Sequence, residues 1–146
     1  MSIIDFVRAL TRMTEPDGRI YVITGRATNS AAIAMAAMLK GQARERTLFV
    51  GEHPADRARF YAEGGNAKTP SGIELHYADG LHDWGDGCTD FRLCYWPVVV
   101  YGAAVGSLAP DIPVAMSYAQ FAAGEDPTLD AALADLHRRQ TAAYRP

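Results

Sequence analysis

Residues 19–39, RIYVITGRATNSAAIAMAAML, decide the fold, because they read as strand, loop and helix in immediate succession. Ile20, Tyr21, Val22 and Ile23 form a β-branched and aromatic run suited to a buried strand. Residues 24–29 are too polar to continue it, and Ser30 is an N-cap type of residue for the alanine-rich segment that follows. Alanines let a helix lie close against a sheet, so this stretch predicts the opening β-α step of a nucleotide-binding architecture.

Upstream, Ile3, Phe6, Val7, Leu10 and Met13 at helical spacing predict an amphipathic helix, stopped by Glu15-Pro16-Asp17-Gly18. Downstream, Gly41 breaks the pattern, and residues 47–50 predict a second strand ending at Gly51-Glu52-His53-Pro54. Residues 55–62 predict a second helix closed by Gly64-Gly65, and 73–77, 91–95 and 112–118 predict three further strands. Asp126-Pro127 caps a last helix with Leu129, Leu133 and Leu136 on one face. Residues 96–105 are apolar throughout and fit either an extended strand or a short buried helix, with Pro97 permitting a break. Strands alternating with helices predict one α/β domain over residues 1–146: a Rossmann-like, mostly parallel sheet of about five strands, the Ile20 strand at its centre and helices on both faces.

Composition narrows the partners. With 49% hydrophobic and 21% charged residues the chain can bury a core, and a net charge of -3 with no dense basic run argues against nucleic acid. No apolar run reaches the length of a membrane span, and the start MSIIDFVRAL lacks a signal-peptide pattern, so the expected location is the cytoplasm, away from membranes. Cys88 and Cys94 are then expected as reduced thiols.

Over nearly its whole length the chain resembles the class I S-adenosylmethionine-dependent methyltransferases, in particular the small-molecule O-methyltransferases. The likeness lies in order and spacing: FVRALTRMTEPDGRIYVITGRATNSAAIAMAAML resembles the leading helix, first strand, cofactor loop and first helix. TLFVGEHPADRARFYAEGG resembles the second strand and helix, IELHYADGLHDW the third strand with its adenine-facing aspartate, TDFRLCYW the fourth strand, and SLAPDIPVAMSYAQFAAGEDP the entry to the fifth. The resemblance implies that a bound cofactor would meet Thr24, Gly25, Arg26, Ser30, Glu52 and Asp79. It also implies a methyltransferase-like sheet without the terminal hairpin.

The chain departs from that family where the family does chemistry. Its acid and alternating glycines fall here near Val22, Thr24, Arg26 and Thr28, with Gly25 one place out of register. The ribose-pairing acid falls near Gly51, beside Glu52, and the positions that hold Mg²⁺ in metal-dependent members are Tyr95, Ser117 and Tyr118, which leaves no metal site. S-adenosylmethionine is therefore not the favoured ligand. Residues 24–30 remain open to two readings, simple N-capping or a phosphate site at a helix N-terminus. That loop also resembles the serine- and threonine-rich loop of phosphosugar-binding domains of sugar isomerases, which the second half of the chain does not follow.

Other clusters favour ordinary roles. His76, His82, Cys88 and Cys94 are zinc-competent but fit no compact knuckle, and Asp79, Asp83, Asp86 and Asp90 read as turn residues. No nucleophile-elbow pattern is present, and the sequence assembles no Ser-His-Asp set. Two functional classes follow. One is a methyltransferase-like pseudoenzyme that serves as a binding scaffold, as a homodimer or with a protein partner through residues 96–105. The other is a small S-adenosylmethionine-dependent methyltransferase or nucleotide-binding enzyme using residues 24–30.

Overall fold

The strand read at Ile20 forms, and so does its neighbour. In the computed structural model, which describes residues 2–14, 18–55, 57–101 and 103–143, β1 (Ile20–Thr24) and β2 (Thr47–Gly51) run parallel, with Ile20 opposite Thr47 and Thr24 opposite Gly51. Parallel neighbours need a crossover, and α2 (Ala31–Ala43) supplies it, followed by a short 3-10 turn at Arg44–Arg46. Ile33, Ala34, Ala36, Ala37, Met38 and Leu39 of α2 are all buried, which is why this helix has no polar stripe. Before β1, α1 (Ile3–Met13) packs on α2 through buried Ile4 and Val7, while Met13 lies exposed. A reciprocal capping box between Ser2 and Asp5 starts it; the expected stop at residues 15–17 lies outside the described residues.

The rest of the expected sheet does not form. The third strand of this sheet is β7, only Ile112–Pro113, paired parallel to β2, so the order is β1-β2-β7 and the central strand is β2 rather than the Ile20 strand. Pro113 has no N–H to extend the ladder, and a second capping box, Ser117 with Gln120, then starts α4 (Tyr118–Ala123). The five-stranded Rossmann-like, methyltransferase-like sheet is thus corrected to three parallel strands beside two separate antiparallel pairs.

Those pairs come from segments whose partners the periodicity did not show. Residues 59–62, expected in a helix, form β3 (Arg59–Ala62): Arg59 and Tyr61 face out while Phe60 and Ala62 turn inward, a period of two, and the strand pairs antiparallel with β6 (Gly80–Asp83). An isolated helix of that length is marginal; Asp56, within the expected span, lies outside the described residues. The strand expected at 73–77 forms as β5 (Glu74–Tyr77), but in a hairpin with β4 (Gly65–Lys68), closed where the Gly72 N–H donates to Thr69 O. At the corner between β3 and β4, Gly64 has φ +111, and a Cβ there would sit 2.2 Å from the Tyr77 carbonyl oxygen.

The expected fourth strand at 91–95 reduces to one parallel bridge, Leu81 with Cys94. Its first residues are turned by Asp90, whose carbonyl accepts from the Leu93 and Cys94 N–H groups, and by a disulfide joining Cys88 to Cys94. The two thiols are therefore not reduced. Of residues 96–105, Trp96–Tyr101 form helix α3, the second of the two readings.

The last helix, α5 (Pro127–Ala143), begins where Asp126 accepts from the Leu129 N–H, yet its buried face is Thr128, Ala132 and Asp135. Leu129 and Leu133 are exposed instead. The reason is polar docking: the Tyr21 hydroxyl of β1 donates to Asp135, 2.8 Å away. The core gathers Val7, Ile33, Ala37, Phe49, Trp84 and Val98 between these layers.

Candidate functional site

The six residues expected to hold a cofactor separate into three places. Thr24, Gly25, Arg26 and Glu52 meet at the C-terminal ends of β1 and β2, where they satisfy one another. The Thr24 hydroxyl donates to Glu52 O at 2.9 Å, the Glu52 N–H donates to Thr24 O at 3.0 Å, and Gly25 N–H donates to the Thr28 hydroxyl at 3.0 Å. Arg26 pairs with Glu52 at 3.1 Å and lies on the surface. Asp79 is exposed on the link between β5 and β6, outside the sheet that contains β1. Ser30 faces different surroundings.

Ser30 sits on the turn from β1 into α2 with φ 47 and ψ -119, and its side chain makes no capping bond to the helix. A residue with a Cβ adopts such angles at a cost of about 1–3 kcal/mol, and such strain concentrates at functional sites. Ser30 borders a cavity of about 320 Å³ walled by α1, α2, α3 and the β3–β6 pair. Glu63, with φ 53, borders it too. Of the three described non-glycine residues with positive φ, only Arg44 lies away from this cavity.

His82 reaches the cavity from β6. Its register opposite Phe60 makes the two rings a cross-strand pair with centroids 4.7 Å apart. The other face of the imidazole stacks on Tyr95 at 4.2 Å, because the Tyr95 N–H donates to Leu81 O and holds that residue beside β6. With both faces covered, His82 is 5% exposed. Its Nε2 pairs with the Glu63 carboxylate, placed by the bend after β3. Nδ1 of His82 and Nε1 of Trp84 are buried and have no partner among the described residues, and both side chains border the cavity. Buried polar atoms of this kind call for a physical reason.

One cavity is bordered by a serine on a strained strand-to-helix turn, an imidazole, and a carboxylate bonded to that imidazole. These residue types form an activated nucleophile when the hydroxyl lies within hydrogen-bond reach of the imidazole, a contact that His82 Nδ1 does not make here. The first N–H of α2, on Ala31, has no acceptor within the helix and carries the positive end of its dipole. The sequence did not assemble this set, since residues 55–62 read as a helix and nothing in the spacing tied Glu63 to His82. The one available signal was Ser30 itself, a polar residue between a buried strand and an apolar helix.

The remaining candidates are engaged elsewhere. Cys88 and Cys94 bond each other, His76 Nδ1 meets Asn66, and Asp83 and Asp90 accept from the backbone of their own turns. No group of three metal-ligating side chains occurs among the described residues, nor is any helix there long and apolar enough to cross a membrane. A wider, open depression of about 590 Å³ between α2 and residues 103–105 contains Lys40, Arg44, Glu45 and Asp111, and its one hydroxyl among the described residues, that of Thr47, donates to Leu39 O. Comparison of the chain with protein-family models, with curated proteins and with solved structures returns no match.

Proposed function

We propose that this domain is a serine hydrolase acting on an ester or amide carbonyl, with Ser30 as nucleophile, His82 as general base and Glu63 as the group that orients His82. The observation that carries the reading is the convergence of Ser30, His82 and Glu63, from three separate elements, on one mostly apolar cavity. In the reaction Ser30 Oγ attacks the carbonyl carbon and its proton passes to His82 Nδ1, the nitrogen that Glu63 leaves unengaged and that has no partner among the described residues, a step that requires the two side chains to close to hydrogen-bond distance when substrate binds. That proton then goes to the leaving group as its bond to carbon breaks. Water, deprotonated by the same nitrogen, releases the acid and restores Ser30. Glu63 orients the imidazole through Nε2, and the Ala31 N–H, at the start of α2 beside the cavity, is the donor assigned to the carbonyl oxygen in this reading.

A fluorophosphonate probe tests this directly: labelling should map to Ser30 by mass spectrometry and vanish in Ser30→Ala. His82→Gln should slow labelling by about 10³-fold or more. Labelling that persists in Ser30→Ala, or its absence in the intact chain, would refute the reading.

A scaffold role, as a homo-oligomer or with a protein partner, is the alternative. It is supported by exposed Tyr118 and Phe121 on α4 and Leu129 and Leu133 on α5, and light scattering tests it. Methyl transfer is a lesser proposal, because the sheet on which its residue assignments rested is absent; a titration with S-adenosylmethionine decides it. For location, the disulfide favours an oxidising compartment over the cytoplasm.

A further inference from the structure

The strand pair that carries His82 continues outward from the body of the protein. β4 and β5 pair in the same register as β3 and β6, so residues 59–83 form one antiparallel ribbon, bent at Glu63 and Gly64, both with positive φ. Its inner half sets Phe60 against His82, whereas in the outer half every residue from 70 to 79 is exposed. A two-stranded hairpin is marginal by itself. On one face His76 Nδ1 meets Asn66 Oδ1 at 2.6 Å, and Lys68 stands opposite Glu74. The other face is apolar: Ile73, Leu75 and Tyr77 are 60%, 51% and 54% exposed, with Ala67 opposite Leu75.

Neither edge of this outer pair is taken by another strand among the described residues. The two edges differ. β4 ends at Lys68 and is followed by Pro70, residue types that discourage further pairing, while residues 73–77, Ile-Glu-Leu-His-Tyr, contain neither. At the turn the Thr69 N–H donates to Ile73 O, which makes these two a hydrogen-bonded pair. Alternation along an antiparallel ladder then turns the peptide groups of Leu75 and Tyr77 towards β4 and those of Glu74 and His76 to the open edge.

We propose that a second copy of the chain covers this edge: β5 pairs antiparallel with β5 of the other copy about a two-fold axis at Leu75, giving a four-stranded sheet. Charge selects that register. A one-residue slip would mix the two faces, and a two-residue slip would set Glu74 against its own copy or His76 against its own. With Leu75 on the axis, Glu74 lies opposite His76 of the other copy and Ile73 opposite its Tyr77. One row across the sheet then reads Lys68, Glu74, His76, Asn66, and its apolar counterpart Ala67, Leu75, Leu75, Ala67, so each side chain meets a compatible neighbour. One short strand buries less than the roughly 1,200 Å² of a standard interface, which places the association in the weak class. This inference rests on neither reading of the cavity, and its surface is not the α4–α5 face of the scaffold alternative.

Sedimentation velocity reads the association: the mass should double, and stop there, between about 1 μM and 500 μM chain. Cys88 and Cys94 are bonded to each other, so Leu75→Cys adds the only free thiol among the described residues. Opposed residues of a non-hydrogen-bonded pair have Cα atoms about 4.5 Å apart, within disulfide reach, so mild oxidation of Leu75→Cys should give a covalent dimer joined at residue 75. Glu74→Cys, two residues out of register with its own copy, should not cross-link. His76→Lys, which sets a cation against Glu74, should associate about tenfold tighter than His76→Glu, which sets like charges there. All these substitutions fall on exposed residues, so the fold is kept. A monomer throughout the concentration range, growth beyond a dimer, a dimer that Leu75→Cys does not cross-link, or equal affinities of the two His76 variants would each overturn the proposal.

Discussion

Removing the Cys88–Cys94 bond should lower stability by an amount the fold itself sets. The bridge joins residues 6 apart in sequence, closing a loop of seven residues from Cys88 through Cys94. Chain-entropy bookkeeping gives about 2.4 kcal/mol for a loop of that length at room temperature. Unfolding entropy of about 2.1 cal/mol/K per residue over this chain converts that into a fall of about 8 °C in Tm. The loss should start locally, because the bridge anchors the segment whose Leu93 carbonyl and Tyr95 N–H bond to Leu81 and whose Tyr95 ring covers His82. Calorimetry with and without a phosphine reductant measures the first effect, and amide exchange at Tyr95 the second. The Cys88→Ser/Cys94→Ser double variant should match the reduced chain and be insensitive to the reductant. A reduced chain melting within about 2 °C of the oxidised one would refute the reasoning, since local strain relief would then have to offset the whole loop-closure effect.

Other perturbations separate structural from incidental residues. Gly51→Ala should destabilise by about 3 kcal/mol or prevent folding, because Gly51 has φ +123 and a Cβ there would meet the Thr24 carbonyl at 2.2 Å. Gly25→Ala, with nothing within 4 Å, should stay within about 0.5 kcal/mol; chemical denaturation compares the two. The Arg139 hydrogen bond holds the Asp135 carboxyl below its ordinary value of 3.8, against the opposing effect of burial. Its stabilising contribution is therefore complete above about pH 4 and fades as pH falls through the depressed folded value. Asp135→Asn should cost about 1–2 kcal/mol at pH 7, a figure reduced for the exposure of Arg138 and Arg139, and should flatten the acid limb of a stability–pH curve. Leu133→Lys should be nearly neutral in urea unfolding, whereas Ala132→Leu, on the buried face of α5, should destabilise by about 1–3 kcal/mol.

What the sequence made legible was local. The strand runs at Ile20 and Thr47, the helix α1 and the Asp126-Pro127 start of α5 each need only neighbours in sequence, and each formed, although Ile3, Phe6 and Met13 of the stripe read on α1 are exposed. What it hid depended on distant partners. Residues 59–62 read as part of a helix, and only pairing with β6 shows them as a strand, while the cysteines showed a spacing but not a bond. On α5 the leucine stripe pointed to one face, yet the hydrogen bond from Tyr21 to Asp135 turned another inward. At the candidate site, Ser30 was visible as a residue but not as a conformation, and Glu63 had no pattern at all before β3 and its bend brought it to His82.

The backbone angles at Ser30 set folding and chemistry against each other. Glycine would adopt φ 47 and ψ -119 without hindrance, so Ser30→Gly removes strain while deleting the hydroxyl. Arg44 has φ 44 and ψ -119, nearly the same angles, at a position with no part in the cavity. A library randomised at both positions and selected only for soluble, protease-resistant protein should drift to glycine at each. Selected for turnover, it should keep serine at the first and still lose arginine at the second, so the divergence between the two populations would mark the position held back from its most stable residue by use.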